Sequence, residues 1–241
     1  PWTVTYLRQE FGLSVRQIAD LALCNLPLQG DKNIETNILD RYRLVAREYI
    51  TVIVSGMQAD GYYCRDRGLY LKRFVEILEM IAKEHCPDER KIVLLAHTFP
   101  PYGDEPGYIA DLWKLLPCGL KSKIVVVKEK ILPTRARFIL GNSLYVLTGR
   151  MHPAVSALQM GTPAICLSYS VKYKGVIGES LGREDLIVEA GEERIWQNGE
   201  IVSEIREKLL YLSAHLEKIK SEIREIVKRQ RELLDGVWKE L

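Results

Sequence analysis

The feature that most constrains this chain is an alternation. Strand-sized runs that are apolar on both faces recur at 49–55, 91–96, 123–128, 143–148, 164–168 and 186–188. Stretches with helical spacing lie between them, as in Leu71, Phe74, Val75, Leu78 and Ile81. A strand apolar on both faces must be covered on both faces, and parallel neighbours need long crossovers, which helices supply. The pattern predicts an α/β fold: a Rossmann-like parallel sheet with helices on both faces. Helices are expected at 69–83, 108–116, 134–140, 153–160 and 176–181.

The flanks read differently. Residues 6–11 look helical and stop at Gly12, an apolar run follows at 18–28, and 29–37 is polar enough to read as a loop or linker. The chain opens on Pro1, in what reads as the end of a helix. Residues 1–37 are therefore expected to be the end of a truncated N-terminal domain with its linker, and 38–200 the Rossmann-like domain. Residues 201–241 are expected to form a long C-terminal amphipathic helix or helix pair. Its stripe runs through Ile201, Ile205, Leu209, Leu212, Leu216, Ile219, Ile223 and Ile226, and nine basic and nine acidic residues in 200–241 balance its polar face.

Charge and cysteine content exclude several classes. A net charge of +2 over 241 residues gives no broad footprint for nucleic acid. No apolar run approaches the roughly 20 residues of a membrane span. Five scattered cysteines without a CxxC pair argue for a reducing, cytoplasmic setting and against a disulfide framework or a zinc site. No GxxxxGK[ST] is present, and the Gly175, Gly178, Gly182 spacing matches no dinucleotide fingerprint.

One strand-to-helix turn stands out. The run 143–148 ends in Gly149-Arg150-Met151-His152-Pro153, with Pro153 expected at the first helical position and Gly161 as the stop. Arg150 and His152 then lie at a helix N-terminus, where free N–H groups and the dipole favour an anion. The next strand leads to Lys172 and Lys174, so cationic or protonatable groups are expected to converge on one rim. His97 follows another strand and should reach the same edge. Asp104 and Glu105 sit in the Pro/Gly-rich loop after it, read as solvated or as a proton acceptor. His85 and His215 are assigned no chemistry.

The segment TGRMHPAVSALQMGTPAICLSYSVKYKG, 148–175, resembles the hallmark of the polysaccharide pyruvyl transferase family. That hallmark is R-x-H, a helix, G-x-P, a strand ending near Tyr, then Lys. Here these are Arg150, His152, Gly161, Pro163, Tyr169 and Lys172, with Lys172 twenty positions after His152. KIVLLAHTFPPYGDE, 91–105, is similar to the family's strand, His and acidic loop. Val171 departs from the family's usual Pro, and the family's early Gly-rich half is not in this sequence.

The resemblance implies a GT-B-like fold and transfer of a pyruvyl group from phosphoenolpyruvate to a sugar of a cell-surface polysaccharide, forming a pyruvate ketal. His152, Arg150 and His97 are then the candidate catalytic residues, and Arg150, Lys172 and Lys174 the candidate phosphoenolpyruvate ligands. No metal and no cofactor beyond the donor substrate are called for. The expected partners are phosphoenolpyruvate and a saccharide acceptor, with room for peripheral docking on a membrane-bound lipid-linked sugar and for a homo-oligomer. Two other readings stay open: a GT-B glycosyltransferase using a nucleotide sugar, and a non-catalytic superfamily member. The first would want an acidic residue on the helix before Gly161, and residues 153–160 contain none.

Overall fold

A computed structural model describes residues 2–15, 18–87 and 89–239. Six strands form one sheet: β1 Tyr49–Ile53, β2 Lys91–Leu95, β3 Ile124–Val127, β4 Val146–Thr148, β5 Ala164–Ser168 and β6 Ile187–Glu189. Their order is β3-β2-β1-β4-β5-β6 and every pairing is parallel. All residues of β1, β4 and β5 are buried, which is why these runs carry no polar alternation. The chain builds outward from β1 to β3, then returns across the sheet to place β4 on the other side of β1. That reversal leaves a crevice beyond the carboxyl ends of β1 and β4, where Ile53 pairs with Thr148.

The helices divide into two packed groups, as a sheet covered on both faces requires. In the first, α3 Arg67–Glu84 meets α4 Glu105–Leu115, α9 Glu193–Gln197 and α10 Glu200–Ala214. In the second, α6 Pro133–Gly141 and α7 Met151–Gln159 meet α2 Lys32–Arg41, the 3-10 turn Leu21–Leu23 and α11 Leu216–Trp238. The remaining helices are short or peripheral: α1 Trp2–Phe11, α5 Cys118–Lys121 and α8 Val171–Tyr173. An aromatic cluster locks α9 onto α3. Trp196 is fully buried, with ring centroids 4.9 Å from Tyr70, 5.9 Å from Tyr63 and 6.1 Å from Phe74. Its indole N–H donates to the Ala190 carbonyl at 2.8 Å.

Several local expectations change. The polar stretch 29–37 is half helix, because Asp31 caps α2 by accepting from the Asn33 and Ile34 amides while Glu35 reaches back to the Gly30 N–H. The chain before it is docked rather than loose. Leu23, Ile38 and Leu39 join the same core as the strands. Arg137, almost fully buried, donates to the Cys24 carbonyl at 2.7 Å and to the Ala22 carbonyl at 2.8 Å. The C-terminal stripe is broken at His215 into α10 and α11, and Ile201, Ile205, Leu209, Leu212, Ile219 and Ile223 are all buried. In place of a helix at 176–181, α8 continues into a π-helical turn, Lys174–Ser180.

All five cysteines are free thiols, three of them buried. Among the described residues no helix is long and apolar enough to cross a membrane.

Candidate active site

The site is best built from Gly149, the first residue after β4. A Cβ here would lie 2.8 Å from the Ser55 Cβ and 2.9 Å from the Tyr63 hydroxyl, so the close approach of β4 to the end of β1 needs a glycine. Its carbonyl accepts from Tyr63 at 2.6 Å and from Tyr173 at 2.9 Å, and Tyr63 also lies 3.0 Å from the Leu167 carbonyl. Burial pushes both phenols above their ordinary range, so they remain protonated donors. One residue on, the Thr148 hydroxyl accepts from the Arg150 amide at 2.9 Å and donates to the Arg150 carbonyl at 3.0 Å. The peptide that carries Arg150 is thus fixed from both sides.

Arg150 is the N-cap of α7, in extended backbone. The helix begins at Met151, which places His152 second and Pro153 third rather than first. Proline removes one donor from the first turn and leaves the N–H groups of Met151, His152 and Ala154. The side chain of Arg150 runs to α4, where its Nε donates to Glu105 Oε1 at 2.7 Å. Glu105 has no solvent exposure and Arg150 only 16%. The second carboxylate oxygen accepts from the His97 and Thr98 amides at 2.7 and 2.9 Å. The reading of Glu105 as a solvated loop acid or proton acceptor is therefore corrected, since three N–H donors occupy its two oxygens. Its neighbour Asp104 instead caps α4, accepting from the Gly107 amide at 2.9 Å.

His97 is half-buried at the carboxyl end of β2. Burial, then the Arg150 and His152 charges, push its imidazole down to about 4, so it is neutral near pH 7. Glu105 links His97 to Arg150, since it takes the His97 amide on one oxygen and the Arg150 Nε on the other. The lysines are arranged differently. Lys172 and Lys174 are exposed and, with Met151, Val171 and Val176, line a groove of about 930 Å³. The residues 18–20 and Glu179 form its other walls. Lys174 is paired with Glu184 at 3.3 Å. The guanidinium is thus directed to α4 while the two ammonium groups border the groove beside Met151. His85 lies at the end of α3 and His215 between α10 and α11, both away from this edge. Among the described residues no three His, Cys, Asp or Glu side chains gather as metal ligands.

Sequence reasoning did not reach Tyr63, Tyr173 or the structural use of Glu105. Only the Asp104-Glu105-Pro106 run, a helix-start signature, hinted at the last of these.

A sheet in this order, with polar groups gathered at the β1/β4 crevice, defines a Rossmann-like α/β domain of the GT-B type. A family model described as "Polysaccharide pyruvyl transferase" matches residues 1–171, and the chain belongs to that family. The match stops one residue short of Lys172. Among solved structures, the chain is similar to UDP-GlcNAc 2-epimerase from Methanocaldococcus jannaschii in complex with UDP-GlcNAc and UDP. That likeness has a TM-score of 0.52 and 16% identity, over 82% of this chain and 51% of that one. The epimerase from Neisseria meningitidis bound to UDP-GlcNAc gives a TM-score of 0.52 and 12% identity, over 86% and 49%. The chain thus spans about half the length of these structures, and at such identities the likeness concerns the fold alone. No curated protein matches.

Proposed function

We propose that the protein containing this chain transfers the pyruvyl unit of phosphoenolpyruvate to a saccharide of a cell-surface polysaccharide, forming a pyruvate ketal. Family membership supports the reaction class. The single observation that carries the reading to named residues is Arg150, fixed at the N-cap of α7 in the β1/β4 crevice. One of its terminal nitrogens is buried without a hydrogen-bond partner among the described residues. A guanidinium with a spare buried donor suits a small, multiply charged acid.

In this reading one sugar hydroxyl adds at C2 of the donor and gives up its proton to His97, while His152 delivers one to C3. A second hydroxyl then displaces phosphate at C2, and its proton leaves with the phosphate. Arg150 binds the donor's carboxylate or phosphate and stabilises charge on the departing group. His152, exposed in the first turn of α7, is the acid. His97, neutral before binding, accepts a hydrogen bond from an acceptor hydroxyl, and a bound anion raises its basicity. Lys172 and Lys174 add a positive rim on the groove side.

The test is ligand-dependent thermal stabilisation of this chain together with phosphate release by the full-length enzyme. Phosphoenolpyruvate should raise the melting temperature and UDP should not. With a pyranose acceptor the enzyme should release phosphate from phosphoenolpyruvate, and Arg150→Ala should lower kcat/KM by about 10²–10³-fold. Stabilisation by UDP alone would favour a nucleotide-sugar enzyme, and stabilisation by neither a non-catalytic relative.

A further inference from the structure

Glu105 is a fully buried carboxylate at the start of α4, and it is used on every side. One oxygen takes the Arg150 Nε, the other the His97 and Thr98 amides. By engaging Arg150 through Nε alone, it leaves the terminal nitrogens to face elsewhere. One of these, Nη2, is buried and unpartnered among the described residues, and it lies 2.9 Å from the point where a side chain on Gly103 would begin. A buried donor left without an acceptor is costly, and an anionic oxygen is what satisfies it. Any side chain at Gly103 would stand against Nη2, so the glycine is what lets the guanidinium sit there. A Cβ on Gly56 would meet the Asp104 amide nitrogen at 3.3 Å, so the end of β1 packs closely on the start of α4.

We propose that Glu105 is the positioning residue of this site: its carboxylate orients the Arg150 guanidinium so that Nη2 meets an anionic donor, and ties His97 to the same frame. This rests on the phosphoenolpyruvate reading for the identity of the anion and not for the geometry. Glu105 touches no reacting atom in this scheme and acts through Arg150 and the His97 loop.

The experiment is a double-mutant cycle on the full-length enzyme with phosphoenolpyruvate as donor. Glu105→Gln places an amide NH₂ against either the Arg150 Nε–H or the two backbone amides, so one side of the clamp opens. It should lower kcat/KM on the order of 100-fold, the cost of a misplaced group, and Arg150→Met should do the same. Because the two residues work as a unit, E105Q/R150M should be no worse than R150M by more than about threefold. Effects that multiply toward about 10⁴-fold would overturn the proposal. Where both single variants fold, equal activities of E105Q/R150M and R150M support the proposal, and a further tenfold loss overturns it. If either single variant, each of which leaves one buried ion unpaired, does not fold, the wild-type readout below decides.

A donor-independent readout uses the wild-type chain. The Arg150 Nε–H should give a proton resonance protected from solvent exchange. An unprotected Nε–H refutes the clamp even where phosphoenolpyruvate is turned over. A protected one with no phosphate release leaves the clamp standing and removes the donor reading.

Discussion

Gly149→Ala tests whether the β1/β4 crevice is as tightly closed as its geometry says. The new methyl would sit 2.8 Å from the Ser55 Cβ and 2.9 Å from the Tyr63 hydroxyl. Carbon atoms rest at about 3.5–4.0 Å, so something must yield by roughly 0.7 Å. If the strands part, the cost is that of overpacking, about 1–3 kcal/mol. If Tyr63 swings away, the Leu167 carbonyl loses its phenol and the Gly149 carbonyl keeps only Tyr173, adding about 1–2 kcal/mol. The expected loss is about 2–5 kcal/mol, or on the order of 10 °C in Tm for a chain of this size. The control is the same substitution at Gly236 in α11, where an added Cβ meets nothing within 4 Å. Alanine there should stabilise by up to about 1 kcal/mol. Urea unfolding followed by circular dichroism reads both, and Ser55→Gly should restore part of the loss in the Gly149→Ala background. A Gly149→Ala protein within 1 kcal/mol of wild type, indifferent to Ser55→Gly, would refute the reasoning.

Three further outcomes follow from the same structure. His97 has a folded pKa of about 4, below its ordinary 6.5, so the fold favours its neutral form. That contribution is complete above about pH 6.5 and is lost as pH falls toward 4, for at most roughly 3 kcal/mol. The stability gap between wild type and His97→Gln should narrow between pH 7 and 4.5, and a pH-independent gap would rule this out. Arg137→Met abandons the Ala22 and Cys24 carbonyls and the Gln29 side chain. It should cost about 3 kcal/mol and open residues 18–31 to limited proteolysis, whereas an unchanged cleavage pattern would show that the segment holds by other means. Tyr63→Phe should cost about 1–2 kcal/mol by removing the one phenolic hydrogen that the Gly149 and Leu167 carbonyls share, and no loss on chemical denaturation would refute that role.

The sheet could be read from sequence because burial on both faces leaves a signature that needs no partner to interpret: Ile50, Val52, Val93, Leu94, Ile165 and Leu167 are each almost wholly enclosed. The turn at Gly149–His152 was legible for a related reason, since a strand end, an arginine and a helix start are all local. What was not local was lost. Asp104 and Glu105 are adjacent acids, yet one caps a helix and the other is sealed inside. Their fates differ by a fraction of a helical turn that composition does not record. Tyr63 and Tyr173 converge on one carbonyl from places far apart in the chain, and nothing in either neighbourhood announces it. The register error at Pro153 was smaller in kind. Proline is accepted anywhere in the first turn, so it marks a beginning only to within two residues. The stretch 29–37 is hydrophilic without being loose, because Asp31 caps α2.

The placement of Trp196 has an optical corollary. Its indole is sealed from water and meets edge-on the ring of Tyr63, whose hydroxyl holds the Gly149 carbonyl one peptide from Arg150. Light absorbed by the surrounding phenols can pass to this enclosed indole. A shift of the Tyr63 ring at the crevice should therefore alter the emission of Trp196, one of four tryptophans in the sequence.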